Sequence, residues 1–400
     1  MNKTWIFAIM ALALGTSCSK EKGIDIDDSS RQEILLGTGS TVSVSRASRG
    51  HGAVGGTDEE TNKWNGETVY VYGITNNEAN KAPINGVKAV APTSVETGML
   101  TWAVDEPVQH FYYEGNDKYN FYAVHVDGAA GDDADLTVKA PADLASTGHS
   151  VDVTIDGTQD LMVAMPNKDN DILDEDGENN LPGVDNTNNL YSAWSARRGV
   201  VPNLVFKHLL SRLNFKAYCG DKPVPAGGNE LKITSITIKN TINKGSIVVI
   251  PAYSEPATEP ESKNQVFNAA EEPNTGDFVI MKKKTGVETT LQPFEEFPLT
   301  GTAEEVGEDV LVVPGASYEI EVKTVQNINE EEKEKTQKFV LKASDIKKEE
   351  VSAGLEAFVA GEMYDVTMIL YANKEIEIEC TLTAWTDGGD ATLDEEVSGI

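Results

Sequence analysis

Residues 375–385 read Glu-Ile-Glu-Ile-Glu-Cys-Thr-Leu-Thr-Ala-Trp, and residues 67–74 and 119–126 carry much the same period of two. That period puts alternate side chains on opposite faces of a strand; on a helix it would scatter the apolar set around the axis. Such segments recur at intervals of roughly ten residues, rich in β-branched and aromatic residues and separated by Gly, Asn, Asp and Pro. Residues 33–45, 99–104, 150–155, 160–165, 204–218, 231–240, 278–282, 309–314, 317–326, 337–342 and 364–372 read as further strands. Residues 76–85 read as loop, 330–334 as the start of a short helix or a hairpin tip, and 344–353 as a helical turn. So little helix predicts an all-β chain, built as two antiparallel β-sandwich domains. The 400 residues are ample for more than one core. The break falls at 221–229, Asp-Lys-Pro-Val-Pro-Ala-Gly-Gly-Asn, which gives an N-terminal domain over 50–220 and a C-terminal domain over 228–400.

Residues 204–218 do not fit a simple half-buried strand. Leu204, Phe206, His208 and Leu210 share one face, while Val205, Leu209, Leu213 and Phe215 share the other. Both faces are half apolar, as in a strand wedged between two domains or one broken by a helical turn. A packed, hydrogen-bonded His208 fits this setting better than a catalytic one.

The front of the chain has a different character. Lys3, an apolar run over 5–14 and the small residues Gly15, Thr16 and Ser17 make a secretion signal over 1–17. The apolar run is too short to span a bilayer. Leu14-Gly15-Thr16-Ser17-Cys18 has the form of a lipobox. It predicts cleavage between Ser17 and Cys18 and acylation of Cys18, with several chains giving a stable anchor in the outer membrane. Residues 18–49 then form a lipidated propeptide: a polar tether, the strand 33–45, and the loop Ser45-Arg46-Ala47-Ser48-Arg49-Gly50-His51-Gly52. A flexible loop of small residues with two arginines is suited to nicking after an arginine.

Charge and motifs narrow the function. The net charge of −32 excludes nucleic acid as a partner, because phosphate binding needs a clustered basic surface. Five histidines are scattered without metal-ligand spacing. Residues 169–180 resemble a calcium loop, but Ile172 occupies the first ligand position and Gly183 the closing one, and a solvated loop accounts for them better. Arg197-Arg198 reads as a surface turn more readily than as a second processing site. Cys219 and Cys380 read as small buried residues on strands, not as a disulfide framework. No nucleophile elbow, zincin helix or phosphate loop is present. No catalytic residue, metal or cofactor is assigned.

Several motifs, in order, resemble the fimbrillins, the type V pilins of the Bacteroidia. Asn120-Phe-Tyr-Ala-Val-His-Val is similar to the family's aromatic strand, and Asp160-Leu-Met-Val-Ala to its Asp-Leu-apolar-Ala element. Leu204-Val-Phe-Lys-His-Leu-Leu-Ser-Arg-Leu is similar to the segment that closes the first domain. Tyr364-Asp-Val-Thr and Cys380-Thr-Leu-Thr-Ala-Trp385 resemble the final strand pair. The Gly-rich acidic run after Arg49 resembles the processing site and picks Arg49–Gly50 over Arg46–Ala47, the second choice.

The resemblance implies two transthyretin-like sandwiches, export as a lipoprotein, surface display, and removal of the N-terminal strand by an arginine-specific protease. It also implies polymerisation with other fimbrial subunits by donor-strand exchange, supporting adhesion. The residues depart from it at the tail, 386–400. Its sizeable apolar residues are Leu393, Val397 and Ile400, and Glu395 interrupts the face that Leu393 and Val397 share. A tip or accessory adhesin, accepting a strand without donating one, therefore stays open. So does a permanently anchored surface lipoprotein that binds a glycan or host ligand, with Trp64, Trp102 or Trp194 stacking on sugar; core packing is the plainer role for each.

Overall fold

The structure, a computed structural model, describes residues 31–38, 64–75, 82–95, 98–103, 109–114, 117–127, 148–166, 190–252, 264–271, 274–284, 287–293, 295–346, 355–372 and 377–383. In the first part of the chain the strands are β1 (Gly37–Thr38), β2 (Trp64–Asn65), β3 (Thr68–Thr75), β4 (Ile84–Val90), β5 (Thr93–Val95), β6 (Gly98–Met99), β7 (Thr101–Trp102), β8 (Tyr119–Val126), β9 (His149–Thr154), β10 (Leu161–Pro166), β11 (Asn203–His208) and β12 (Ser211–Cys219). A one-turn helix, α1 (Ala193–Ala196), precedes β11. The second part adds β13 (Lys232–Ile242), β14 (Lys244–Ile250), β15 (Phe267–Ala269), β16 (Thr275–Val279), β17 (Met281–Lys284), β18 (Val287–Pro293), β19 (Phe297–Pro298), β20 (Glu304–Glu305), β21 (Val310–Val312), β22 (Ser317–Ile328), β23 (Glu331–Lys342), β24 (Met363–Leu370) and β25 (Glu377–Thr383). The chain is all-β, as expected.

The largest sheet has eight strands in the order β6-β1-β11-β10-β8-β3-β4-β7. Its central strands are apolar on both sides because both faces are covered. On β3, Val69 and Val71 face one core, which they share with Phe121, Leu204 and Phe206. Tyr70 and Tyr72 face another, together with Val151 and Val153 of β9 and Ile247 and Val249 of β14. That second core runs on without a break to Leu213 and Phe215 of β12 and to Tyr364 and Val366 of β24. β9 alternates as a half-buried strand should: Val151 and Val153 are buried, and Ser150 and Asp152 are exposed.

Residues 204–218 form two strands, not one. β11 belongs to the eight-stranded sheet, and β12 belongs to a five-stranded sheet where it pairs in parallel with β24 and antiparallel with β20 and β21. The change of sheet occurs at Leu209-Leu210, both buried. Buried positions are even-numbered on β11 and, apart from Arg212, odd-numbered on β12. The corner swaps the inward face, which is why both faces read as half apolar.

Hydrogen bonding also links sequence on either side of 221–229. β9 pairs with β14, and β12 with β24. Residues 330–334 belong to a hairpin: β22 and β23 pair over twelve residues each, and the turn places Asn329 and Glu330 at φ of 55° and 68°, as a two-residue primed turn requires. Residues 84–90, read partly as loop, form β4. The helical turn read over 344–353 is a single 3-10 turn at Ala343–Asp345, with its remainder outside the described residues.

Candidate functional site

The site is the seat of the N-terminal segment. β1 does not lie on the outside of the eight-stranded sheet; it is wedged between β11 and β6. It pairs in parallel with β11, Gly37 opposite Asn203 and Thr38 opposite Leu204. It pairs antiparallel with β6, Gly37 opposite Met99 and Thr38 opposite Gly98. Backbone bonds extend the seat in both directions. Gly37 N donates to Pro202 O at 2.9 Å, Leu100 N to Leu36 O at 2.8 Å, Ile34 N to His110 O at 2.7 Å and Tyr112 N to Gln32 O at 2.9 Å.

The side chains follow the pleat. Ile34 and Leu36 are each 1% exposed and enter the core that holds Tyr112, Phe121, Leu204 and Phe206, while Leu35 between them is 46% exposed. Burying two such side chains stabilises the seated segment by roughly 3–6 kcal/mol before its ordering entropy is set against it. Gly37 meets Asn203 so closely that a Cβ there would lie 2.2 Å from Asn203 Oδ1. The Thr38 hydroxyl donates to Gly98 O at 3.1 Å and accepts from Gly98 N at 2.9 Å, which ties off β6.

The far wall of the seat is fixed by two of the sequence motifs. β10 and β11 are neighbours, with Met162 opposite His208 and Ala164 opposite Phe206. At the end of that ladder His208 Nδ1 lies 2.6 Å from Asp160 Oδ2, both fully enclosed. This histidine is a packed, hydrogen-bonded one. Ser211 beyond it donates to Val359 O at 2.8 Å, so its hydroxyl proton is directed at that carbonyl and not at the pair.

The other sequence candidates fall in several places. Trp64 is fully buried, edge-on to Phe206 at 4.9 Å. Trp102 is half-buried against His110 at 4.5 Å. The Arg198 guanidinium stacks on Trp194 at 3.5 Å, and its Nη1 donates to Trp194 O. The Arg197-Arg198 pair is thus a packed turn after α1. Cys219 is a free, buried thiol that burial pushes up; Cys380 lies on β25 opposite Val366. Ser17, Cys18, Arg46, Ala47, Arg49, Gly50, the calcium-like loop 169–180 and the tail 386–400 lie outside the described residues, as do 39–45 of the expected N-terminal strand. The described part of that expected strand is seated through Ile34-Leu35-Leu36-Gly37-Thr38, an apolar triplet running into a glycine.

A family model described as fimbrillin-like matches residues 56–385. The chain belongs to the fimbrillin-like family. That family is one of structural, fimbrial-type proteins. This fimbrillin-like chain is also similar to three solved structures named for proposed roles in cell adhesion. One, from Bacteroides uniformis ATCC 8492, is 14% identical, with 89% of this chain and 98% of that chain covered and a TM-score of 0.45. Another, from Bacteroides eggerthii DSM 20697, is 11% identical, with 90% and 98% covered and a TM-score of 0.40. The third, from Parabacteroides distasonis ATCC 8503, is 10% identical, with 92% and 96% covered and a TM-score of 0.40. No curated protein matches the sequence. The seated segment, 32–38, precedes the span that defines the family, and the tail, 386–400, follows it.

Proposed function

We propose that this chain is the precursor of a structural subunit of a type V fimbria. Cys18 carries lipid after cleavage behind Ser17 and holds the precursor at the outer membrane. An arginine-specific protease cuts between Arg49 and Gly50, with Arg46–Ala47 the second choice, and residues 50–400 are the mature subunit. The N-terminal segment leaves, and a strand from another fimbrial subunit takes its place.

The observation that carries this reading is the seat itself. Residues 32–38 are paired on two sides within a sheet and bury Ile34 and Leu36. They are joined to the rest of the chain through a stretch that contains both arginines. Removing them would strip partners from His110, Leu100, Tyr112, Pro202 and Gly98 and open an apolar slot. Strand addition satisfies both needs at once, and head-to-tail addition that does not close gives a filament.

N-terminal sequencing of protein extracted from the cell surface tests it. A species starting at Gly50 or Ala47 is expected. Material starting only at Cys18 would refute the processing step and favour a permanently anchored lipoprotein.

A further inference from the structure

The strand-exchange reading leaves open which strand is accepted, and the seat itself answers this. We propose that the slot occupied by residues 32–38 selects an extended strand of the pattern apolar–any–apolar–glycine–Ser/Thr, and that its partner is a polypeptide other than a second copy of residues 50–400. The inference rests on that reading of the site and adds a selectivity to it.

Each position of the pattern has its own physical cause. Ile34 and Leu36 are buried and Leu35 is exposed, so the first and third residues must be apolar and the second is free. The fourth favours a residue without a side chain, because the Asn203 amide oxygen stands 2.2 Å from where a Cβ would be and would have to swing away to admit one. Backbone φ is not the reason, since Gly37 is not among the positive-φ glycines; the constraint is the neighbour, and it belongs to the acceptor. The fifth residue carries a hydroxyl that is both donor and acceptor to Gly98, in a position only 3% exposed. A valine there would have the right shape and leave Gly98 N without that acceptor.

Residues 50–400 do not contain this pattern anywhere. The glycines followed by Ser or Thr in that span are Gly56, Gly157, Gly245 and Gly301, and the residues directly before them are Gly55, Asp156, Lys244 and Thr300. In the tail, Leu393 and Val397 are four residues apart with Glu395 between them, and Gly399 follows Ser398. Residues 50–400 of a second copy therefore offer no strand of this pattern to the seat, and assembly through this slot draws its strand from another polypeptide.

Competition tests the selectivity. A soluble form starting at residue 18, with Cys18→Ser and a sequence-specific protease site in place of residues 45–50, is cut while its segment stays seated. Unlabelled peptides are added in mild urea, and displacement of the segment is read by native mass spectrometry. The 31–45 peptide is expected to displace it. Its Leu36→Asp and Gly37→Val versions are expected to be weaker by about tenfold or more, a difference of about 1.4 kcal/mol, with Thr38→Val intermediate and the 386–400 peptide inactive. In an Asn203→Ala chain, a Gly37→Ala peptide should recover most of its loss, which a merely poor strand would not. If all peptides displace equally, or 386–400 matches 31–45, the selectivity is wrong and strand acceptance survives. If the 31–45 peptide itself never exchanges, strand acceptance falls and takes the selectivity with it.

Discussion

The β1 seat, one strand in from the β6 margin of the eight-stranded sheet, and the β23 margin of the sheet β16-β13-β22-β23 both offer backbone on which a strand can pair, and they treat that strand in opposite ways. β23 is twelve residues long, pairs only with β22 among the described strands, and is exposed along nearly its whole length. Its sequence, Glu-Glu-Lys-Glu-Lys-Thr-Gln-Lys-Phe-Val-Leu-Lys, places a charge at most positions, and Lys338 lies 3.2 Å from Glu319 and 3.7 Å from Glu321 on the neighbouring strand. Charge on an open edge is a standard defence against unwanted pairing. β1 is only two residues long, yet it is flanked on both sides, and its segment buries two large apolar side chains. The margin repels strands, and the seat is shaped around a strand. The difference teaches that an acceptor is recognised by what lines its seat, not by the length of strand found in it.

Substitutions can break this contrast, starting with the largest effect. Asp160→Ala removes one partner of the enclosed His208 pair at the end of the β10–β11 ladder and should cost about 3–5 kcal/mol. Urea denaturation measures it; a loss under about 1 kcal/mol would mean that β11 is not the fixed wall required here. Leu36→Ala in the uncut chain should cost about 2–5 kcal/mol by the same method. Val340→Ala, an exposed apolar residue on β23, should stay within about 0.5 kcal/mol. Equal costs at Leu36 and Val340 would erase the distinction between seat and margin.

A pH effect of smaller size concerns β9. His149 of β9 is buried, with its ring 5.0 Å from that of Tyr72 and Nε2 3.3 Å from the Tyr72 hydroxyl. Burial lowers its pKa below the ordinary value of 6.5. The unfolded chain therefore binds this proton more readily, so stability is fully present above pH 6.5 and declines as pH falls from there toward the folded-state pKa. In His149→Gln that part of the decline should vanish from a series of melts between pH 7.5 and 5; an unchanged slope would remove His149 as its source. Smallest of all, Lys338→Ala should change stability by about 0–1 kcal/mol, with what effect there is fading in high salt. Its more telling readout is self-association, because a bare Val340 edge has lost part of its charge protection.

Much of the architecture was legible from the period of two. Strands β3, β8, β9, β22, β24 and β25 lie where the alternation put them, and the first five each bury at least one face. The corner at Leu209-Leu210 was visible only as an anomaly, because alternation cannot say that a chain changes sheets. β4, Ile-Asn-Gly-Val-Lys-Ala-Val, was partly missed because its first two residues fall in the stretch 76–85 that reads as loop, and its strand state comes from pairing with β3. The site was half legible. Its N-terminal location followed from the lipobox, the arginines and the strand before them. The residues that make it selective were not readable, because the fit of Gly37 depends on Asn203, and that of Thr38 on Gly98, both far along the sequence.

The central claim is that the seat outlasts its first occupant. Amide hydrogen exchange over residues 98–112 tests it directly, because Leu100 N and Tyr112 N donate to Leu36 O and Gln32 O. In the uncut chain both amides should be protected. In a chain starting at Gly50 both should exchange rapidly while the β3 and β8 amides stay slow, and adding the 31–45 peptide should restore protection. Protection at Leu100 and Tyr112 that is unchanged in the chain starting at Gly50, or collapse of the whole eight-stranded sheet that the peptide cannot reverse, would contradict the account.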